Sequence, residues 1–209
     1  MTARANILRK VDDALADVPA ESWKEEIPRA YLRSAPPDIE EFLTHNRAYG
    51  TRVHRVTPDQ LAATVAQVVA GHHARTLAAP GDAPKQWLAA IPMTTTVLPD
   101  TPGAPIEPLA AVDVSITGCA VAVAKTGGFA VNGGPTQGRR LLSLLPDRHI
   151  VVIMASQIVG TLAEALQHLT PDRPAAWIAG PSITADIELT RVDGAHGPRT
   201  LDMILVEDH

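Results

Sequence analysis

The 209-residue sequence contains a single cysteine, Cys119. One thiol cannot form a disulfide within the chain, and its thiolate alone cannot hold an iron–sulfur cluster. The apolar setting of Cys119 favours an inert buried residue over a nucleophile. The sequence therefore indicates no cofactor that this chain would hold through its own cysteines.

A basic surplus is also missing, since the net charge is −5 and the sequence pI is about 5.9. Such a balance argues against nucleic acid as a partner, because phosphates need cations to neutralise them. No apolar run is long enough to span a bilayer, and the first ten residues lack the apolar core of a signal peptide. We therefore expect a cytoplasmic protein without a membrane span.

Several common motifs are absent. The chain has no P-loop, no G-x-G-x-x-G after a strand, no H-E-x-x-H and no C-x-x-C. His72, His73 and His209 have no ligand-like companions in sequence, so we predict surface residues and no metal site. His149 precedes an apolar run and is predicted to be a satisfied residue at a strand edge.

What the sequence does have is an alternation of helical and strand-like patterns, which predicts an α/β fold with a mainly parallel sheet flanked by helices. Residues 1–37 are predicted to form an N-terminal helical extension, with a helix over 5–18, and residues 38–209 the α/β domain. Asp38 is the expected N-cap of a helix that ends at Gly50. The other predicted helices cover 57–71 and 85–90, with one more that Ser156 caps. The predicted strands cover 52–56, 76–79, 94–98, 113–117, 120–124, 128–131, 150–154, 177–179 and 203–206.

Two features of this pattern bear on the later argument. The runs 113–117, 120–124 and 128–131 are separated by very short turns, which favours adjacent or hairpin strands over crossovers. The run 177–179 is predicted to be a buried strand of the parallel sheet.

The segment 180–188 (GPSITADIE) follows that predicted strand and is unusually rich in turn formers, hydroxyls and carboxylates. Ligands of open α/β sheets bind beyond the carboxyl ends of strands, so Ser182, Thr184 and Asp186 are candidate ligand-binding residues. His196, in a Gly/Pro turn, is a fourth candidate. The alternative is that the hydroxyls cap a turn and that the carboxylate pairs with a nearby cation.

Two further segments contribute candidates. Lys125 and Thr126 stand at a predicted hairpin turn, whose glycines the turn itself requires. Arg139 and Arg140 follow a polar, glycine-rich loop and could bind a carboxylate or phosphate, although we expect one of the two to be structural. We predict that one cleft at the carboxyl end of the sheet has Arg139 or Arg140 at its rim and brings together Lys125, Thr126, Ser182, Thr184, Asp186 and His196.

Four segments together resemble the lactate utilization protein C family, the stand-alone form of the LUD domain. The resemblance covers roughly 113–206, and its specific parts are the Gly-Pro-Ser and His-Gly-Pro blocks. The matching segments are 117–127 (TGCAVAVAKTG), 139–146 (RRLLSLLP) with His149 and Ile150, 180–188 (GPSITADIE) and 194–198 (GAHGP).

The resemblance implies a fold similar to the ribose-5-phosphate isomerase and CoA-transferase group. It also implies an accessory role in the oxidation of L-lactate to pyruvate beside iron–sulfur partner proteins, with a small anionic or nucleotide-like ligand. The alternative is a free-standing enzyme that acts on a phosphorylated, folate or CoA-type small molecule. A catalytic role for this chain is not implied.

Two positions depart from the family pattern. Lys125 stands where the family commonly has glutamate, and Ile183 stands where it commonly has arginine. One change adds positive charge and the other removes it, so either the cation of the site has moved or the site is degenerate. A catalytic carboxylate at position 125 is excluded, which weakens the acyl-transfer alternative because that chemistry usually needs a glutamate nucleophile.

Overall fold

The computed structural model describes residues 2–18, 30–184, 192–194 and 196–207. The chain divides into two units, Met1–Tyr31 and Leu32–His209. The first unit contains helix α1, Ala3–Leu15, and the Thr2 hydroxyl accepts a hydrogen bond from the Ala5 N–H at its start. The predicted N-terminal helix is confirmed, although it starts two residues earlier and ends three residues earlier than predicted.

The second unit is built on strands that largely match the sequence pattern. Its helices are α2 (Ile39–Ala48), α3 (Leu61–Gly71), α4 (Glu107–Ala110) and α5 (Leu162–Ala165). Its strands are β1 (Arg52–Val56), β2 (Thr76–Pro80), β3 (Thr96–Asp100), β4 (Val114–Thr117), β5 (Val121–Val123), β6 (Phe129–Val131), β7 (Arg148–Met154), β8 (Ile158–Val159), β9 (Ala176–Ile178), β10 (Ile183–Thr184), β11 (Val192–Asp193) and β12 (Thr200–Val206).

Six strands form an all-parallel sheet in the order β1-β12-β7-β4-β2-β3. The central strands β7 and β12 read RHIVVIM and TLDMILV, and nearly all of their residues are buried. Such continuous apolar runs are typical of strands that are covered on both faces. The predicted α/β class with a mainly parallel sheet is therefore confirmed.

The two faces of this sheet have different covers. Helix α3 packs Val65 and Val69 against one face, in a cluster with Ile150 and Ile204. Helix α2 and a second sheet cover the other face, where Phe42 and Phe129 join the core. Asp38 caps α2 as predicted, since its carboxylate accepts the Glu41 N–H at 3.0 Å.

The second sheet has the order β8-β5-β6-β9, and β5 and β6 form an antiparallel hairpin. Gly127 has a φ of +66° at the hairpin turn, which glycine adopts without steric cost. The prediction that 113–117 is adjacent to 120–124 is wrong, because β4 pairs with β2 and β7 in the parallel sheet. The short link after Thr117 takes the chain from one sheet to the other instead of forming a hairpin.

The strand before the GPSITADIE segment is also not where the pattern predicted. Strand β9 is an edge strand of the second sheet, antiparallel to β6, and its Trp177 is 41% exposed. The predicted buried strand of the parallel sheet is thus wrong at this point. A three-residue apolar run is too short to show which sheet it joins.

The predicted helix capped by Ser156 is wrong as well. Residues Ala155–Gln157 form a 3₁₀ turn, and β8 then pairs with β5. Helix α5 starts only after Thr161, whose hydroxyl accepts the Glu164 N–H while the Glu164 carboxylate accepts the Thr161 N–H. The β-branched pair at 158–159 favours a strand over a helix, which explains the difference.

Within the described ranges, none of the helices has the length and apolar character needed to cross a bilayer.

Candidate functional site

A cleft of about 490 Å³ opens at the carboxyl ends of β2 and β3. This is the edge of a parallel sheet where ligands of α/β proteins bind, and the size falls in the range of small-molecule sites. Its walls come from the two strand ends and from the loop between β6 and the 3₁₀ turn Arg140–Ser143. The lining residues are Gly81, Asp82, Asp100, Thr101, Pro102, Val131, Asn132, Gly133, Gly134, Gln137, Gly138, Arg139, Arg140, Ser143 and Pro174.

An ion pair joins the loop to the end of β3. The Asp100 side chain is fully buried, and its Oδ1 lies 2.7 Å from Nε and 2.6 Å from Nη2 of Arg139. The backbone N–H of Arg139 donates to the other carboxylate oxygen at 3.0 Å, and Nη1 donates to the Ala104 carbonyl at 2.7 Å. Arg139 therefore has a structural task, since its guanidinium is already occupied by Asp100 and Ala104.

The loop itself is braced by short polar contacts. The Gln137 side-chain oxygen accepts the Asn132 N–H at 2.7 Å, and Asp82 accepts the Thr136 N–H at 2.9 Å. Gly138 has a φ of +62°, and a Cβ there would lie 2.6 Å from Leu142 Cδ1. The loop is thus held in one shape, which leaves its glycine backbone open to a ligand in the cleft.

Arg140 differs from its neighbour because it is exposed at the rim of the cleft. Its guanidinium makes no ion pair or side-chain hydrogen bond with any other residue that the structure describes. A free guanidinium beside a cleft can bind a carboxylate or a phosphate through two parallel hydrogen bonds. The expectation that one arginine is structural and the other available agrees with this arrangement.

Lys125 and Thr126 lie in the 3₁₀ turn Ala124–Thr126, beside α2. The Lys125 ammonium is 3.5 Å from the Glu41 carboxylate, and the two side chains are 45% and 35% exposed. The Thr126 hydroxyl accepts the Gly128 N–H at 3.3 Å, as in an ordinary turn. Neither residue is part of the cleft lining.

Ser182 and His196 are brought together in a different place. The Ser182 Oγ accepts the His196 N–H at 3.1 Å, and the Ser182 N–H donates to the Pro198 carbonyl at 2.8 Å. His196 is exposed. A Cβ placed on Gly197 would lie 3.5 Å from the Ser182 side chain and 4.0 Å from the carbonyl of Ser143, which lines the cleft. Ser182 and His196 therefore lie near the cleft, but neither is among its described lining residues.

The side chains of the remaining two candidates, Thr184 and Asp186, are not described, so the prediction for them is not tested. Thr184 belongs to the short strand β10, of which only the backbone is described, and Asp186 lies outside the described residues. The single cleft shared by the six predicted residues, with an arginine at its rim, stays a prediction.

Sequence reasoning missed the residues that shape the cleft, among them Asp82, Asp100 and Asn132. The rule that ligands bind beyond the carboxyl ends of strands could have identified Asp100, since it is a carboxylate at the end of an apolar run. The run was predicted as 94–98, and the strand is Thr96–Asp100. A shift of two residues thus hid the aspartate that anchors the loop.

At the other end of the sheet, a cavity of about 240 Å³ contains a buried carboxylate between two imidazoles. Asp202 accepts hydrogen bonds from Nε2 of His72 at 2.7 Å and of His54 at 3.1 Å. Burial acts to raise the pKa of Asp202, but the hydrogen bonds from His54 and His72 outweigh it and hold the pKa below its usual range. The predicted surface location of His72 is wrong, because its side chain is only 7% exposed.

His149 is fully buried in the central strand β7, so its predicted edge position is wrong. Its Nε2 lies 2.8 Å from the Thr117 hydroxyl. Burial lowers the pKa of His149 to about 4 and raises the pKa of Cys119 to about 12. At neutral pH both groups are uncharged, so neither supplies an anionic nucleophile nor a cation. In the described ranges, no three His, Cys, Asp or Glu side chains are placed to hold a metal ion.

Comparison with known proteins identifies the family. The model of the LUD domain matches residues 39–206. Lactate utilization protein C of Deinococcus radiodurans is 38% identical over 172 residues, which cover 80% of this chain and 79% of that protein. Lactate utilization protein C of an Exiguobacterium species is 30% identical over 186 residues, which cover 81% and 79%.

A solved structure agrees with these matches. The crystal structure of a DUF162 family protein from Deinococcus radiodurans superposes with a TM-score of 0.67 at 31% identity, and the match covers 80% of this chain and 95% of that one. The resemblance carried by the sequence motifs is thereby confirmed over residues 39–206. The chain belongs to the LUD domain family.

Proposed function

We propose that this protein takes part in lactate utilization as an accessory subunit of an iron–sulfur system that oxidises L-lactate to pyruvate, and that its cleft binds an anionic, nucleotide-like ligand. The observation that carries the first part is the match at 38% identity, over 80% of the chain, to a protein named for lactate utilization. The observation that supports the proposed ligand is the cleft at the carboxyl ends of β2 and β3.

The electron transfer is assigned to partner proteins for a chemical reason. The one cysteine of the chain is buried, and burial raises its pKa to about 12, so it does not offer a thiolate at neutral pH. Iron–sulfur clusters need several thiolate ligands. The role of this subunit is therefore to bind a ligand and to associate with cluster-bearing proteins.

The size of the cleft favours a ligand larger than lactate. A volume of about 490 Å³ suits a drug-sized molecule, whereas a three-carbon hydroxy acid would fill little of it. Arg140 offers one available guanidinium for an anionic group, and the glycine-rich loop allows a flat group to approach the backbone. A nucleotide-like molecule combines both properties.

The alternative, a free-standing enzyme for a phosphorylated, folate or CoA-type molecule, draws on the same cleft size. Its weak point is the absence of an identified nucleophile, since Lys125 replaces the glutamate of the family pattern and pairs with Glu41. This reading rests on fold analogy, which does not determine function.

The first experiment tests the physiological role. Tagged protein is purified anaerobically from cells grown on lactate, and a deletion strain is grown on lactate and on glucose. We expect co-purification of iron–sulfur proteins and a growth defect on lactate alone. Normal growth of the deletion strain on lactate, together with no recovered iron–sulfur protein, would contradict the proposal.

The second experiment tests the cleft. Thermal unfolding is followed with adenine nucleotides, dinucleotides, folates, CoA esters and sugar phosphates, since a ligand that binds only the folded state raises its stability. Arg140→Ala should abolish the response to any anionic hit. The matched control is Arg47→Ala, which removes an exposed guanidinium from α2, outside the cleft. A response that survives Arg140→Ala unchanged places the binding site elsewhere.

A further inference from the structure

Two side-chain amides that line the cleft have hydrogen-bonding groups without a partner. Asn132 is only 9% exposed and Gln137 only 5%. Among the residues that the structure describes, none forms a hydrogen bond with the side-chain amide of Asn132 or with Nε2 of Gln137. Neither group is fully enclosed by the protein. Because both residues are buried except where they line the cleft, their free amide groups face its interior.

A contact between the two residues fixes the roles of these groups. Oε1 of Gln137 accepts the Asn132 backbone N–H at 2.7 Å, so Nε2 of Gln137 is left as a donor. The Asn132 amide keeps both a donor and an acceptor. A Cβ on Gly134 would lie 3.0 Å from Nε2 of Gln137 and 3.2 Å from Oδ1 of Asn132. A side chain at position 134 would therefore crowd both groups, and glycine leaves them open.

A donor beside an acceptor favours a ligand that offers the opposite pair. A largely buried amide is unfavourable without a partner, so water or a ligand must make its hydrogen bonds. Asparagine and glutamine recognise adenine through such a pair, because the N6 amino group of adenine donates and the neighbouring ring nitrogen accepts. The two amides of the cleft thus offer the complement of an adenine edge.

The rest of the cleft suits the other parts of an adenine nucleotide. Pro102 and Pro174 add apolar surface against which a flat ring can lie. Arg140 has a guanidinium available for a phosphate group. A nucleotide would therefore use the amides, the apolar surface and the guanidinium of the cleft together.

We propose that the ligand of the cleft carries an adenine base, whose N6 amino group donates to Oδ1 of Asn132 and whose neighbouring ring nitrogen accepts from Nε2 of Gln137. This inference rests on the proposed function, since it names the base of the nucleotide-like ligand. The two amides determine specificity for the base, and Arg140 binds the phosphate whichever base is attached.

The test compares two nucleotides that differ in one group. Purine riboside 5′-monophosphate has the sugar, the phosphate and the ring nitrogens of AMP but lacks the N6 amino group. In isothermal titration of the full-length protein, AMP should bind at least about tenfold more tightly, because it alone donates to Asn132. Equal dissociation constants overturn the inference, and so does the failure of AMP to bind.

A variant then assigns the preference to Asn132. Asn132→Leu removes the amide at nearly constant size and should bring the ratio of the two dissociation constants close to one. A general distortion of the cleft would weaken both nucleotides alike and leave the ratio unchanged, which would overturn the role of Asn132. The matched control is Asn6→Leu, which replaces an exposed asparagine that does not line the cleft and should keep the wild-type ratio.

Arg140→Ala separates this inference from the proposed function. If both nucleotides bind equally and both are lost in Arg140→Ala, the cleft binds an anionic, nucleotide-like ligand without recognising adenine. If neither binds, but another anionic compound of the thermal screen binds and depends on Arg140, the adenine base is again excluded while the anionic ligand stands. If no compound of the screen binds, this inference and the proposed ligand both fail.

Discussion

Both ends of the parallel sheet contain a buried aspartate beside basic side chains, yet a cleft of about 490 Å³ opens at one end and a cavity of about 240 Å³ at the other. The difference comes from where the partners originate. Asp100 pairs with Arg139, which lies in the loop that follows β6. Asp202 takes His54 from the neighbouring strand and His72 from the end of α3, which already pack on the sheet.

This contrast shows how one kind of contact serves two purposes. At the carboxyl end, the carboxylate anchors a loop and so keeps a wall of the cleft in place. At the amino end, the carboxylate ties a helix terminus to the sheet and leaves only the smaller cavity between them. A buried aspartate with a basic partner is therefore not in itself a sign of function.

The largest expected effect comes from breaking the pair at the carboxyl end. Arg139→Met should lower the free energy of unfolding by about 3–5 kcal/mol, because it leaves the Asp100 carboxylate buried without its cation. Asp100→Asn should cost less, about 1–3 kcal/mol, since the partly exposed guanidinium can then turn to water. Urea denaturation at neutral pH measures both.

The control for this comparison is Arg47→Met, which removes an exposed guanidinium from α2. We expect it to change the free energy of unfolding by less than about 0.5 kcal/mol. If Arg139→Met costs no more than Arg47→Met, the ion pair does not hold the loop.

A second prediction compares two histidines in different surroundings. His149 is buried without a carboxylate, and its pKa is lowered to about 4, whereas His72 contacts Asp202. As the pH falls below about 6.5, the unfolded chain protonates His149 and the folded chain does not, so stability is lost between about pH 6.5 and pH 4.

The expected loss from this group is about 2 kcal/mol between pH 7 and pH 5. Urea denaturation of the wild type and of His149→Gln at both pH values isolates it, because all other groups are common to the two proteins. Equal pH dependence in both proteins would show that His149 does not titrate below its ordinary range.

The elements that the sequence revealed are those with strong local signals. The apolar runs of β7 and β12 and the Asp38 cap of α2 were predicted because each depends on neighbouring residues alone. The choice of sheet for β4 and β9 was not predictable in this way. Which strand pairs with which is decided by contacts between distant parts of the chain.

The candidate site follows the same rule. Arg139 and Arg140 were found because a glycine-rich loop before two arginines is a local pattern, and both line the cleft. The contact between His72 and Asp202 joins residues 130 positions apart, and no local sequence pattern predicts it. Ser182 and Thr184 were selected for the turn formers and hydroxyls of their segment and for its position after a predicted strand of the parallel sheet, and that strand lies in the second sheet.

A third, smaller effect is expected at the amino end of the sheet. Asp202→Asn should lower the free energy of unfolding by about 1–2 kcal/mol at neutral pH, because it weakens two hydrogen bonds to His54 and His72. The lowered pKa of Asp202 means that its contribution is present above about pH 4 and is lost as the pH falls through the folded-state value.

The matched control is Asp147→Asn, since Asp147 and its partner Arg199 are both 64% exposed. An exposed pair of this kind contributes at most about 1 kcal/mol and is screened by salt. The cost of Asp202→Asn should therefore exceed that of Asp147→Asn and should persist at high salt. Equal costs for the two variants would contradict a distinct role for the buried carboxylate.

The smallest effect is expected at Lys125, which lies outside both cavities. Its ammonium is 3.5 Å from Glu41, and the pair is partly exposed and reached by solvent, so Lys125→Ala should change the free energy of unfolding by less than about 0.5 kcal/mol. Lys125→Glu places two carboxylates side by side and should cost slightly more.

Neither variant should alter the binding of an anionic ligand that Arg140→Ala abolishes. A loss of affinity in Lys125→Glu comparable to that of Arg140→Ala would instead join Lys125 to the site, as the sequence predicts, and would mean that the cation of the family's site has moved from position 183 to position 125.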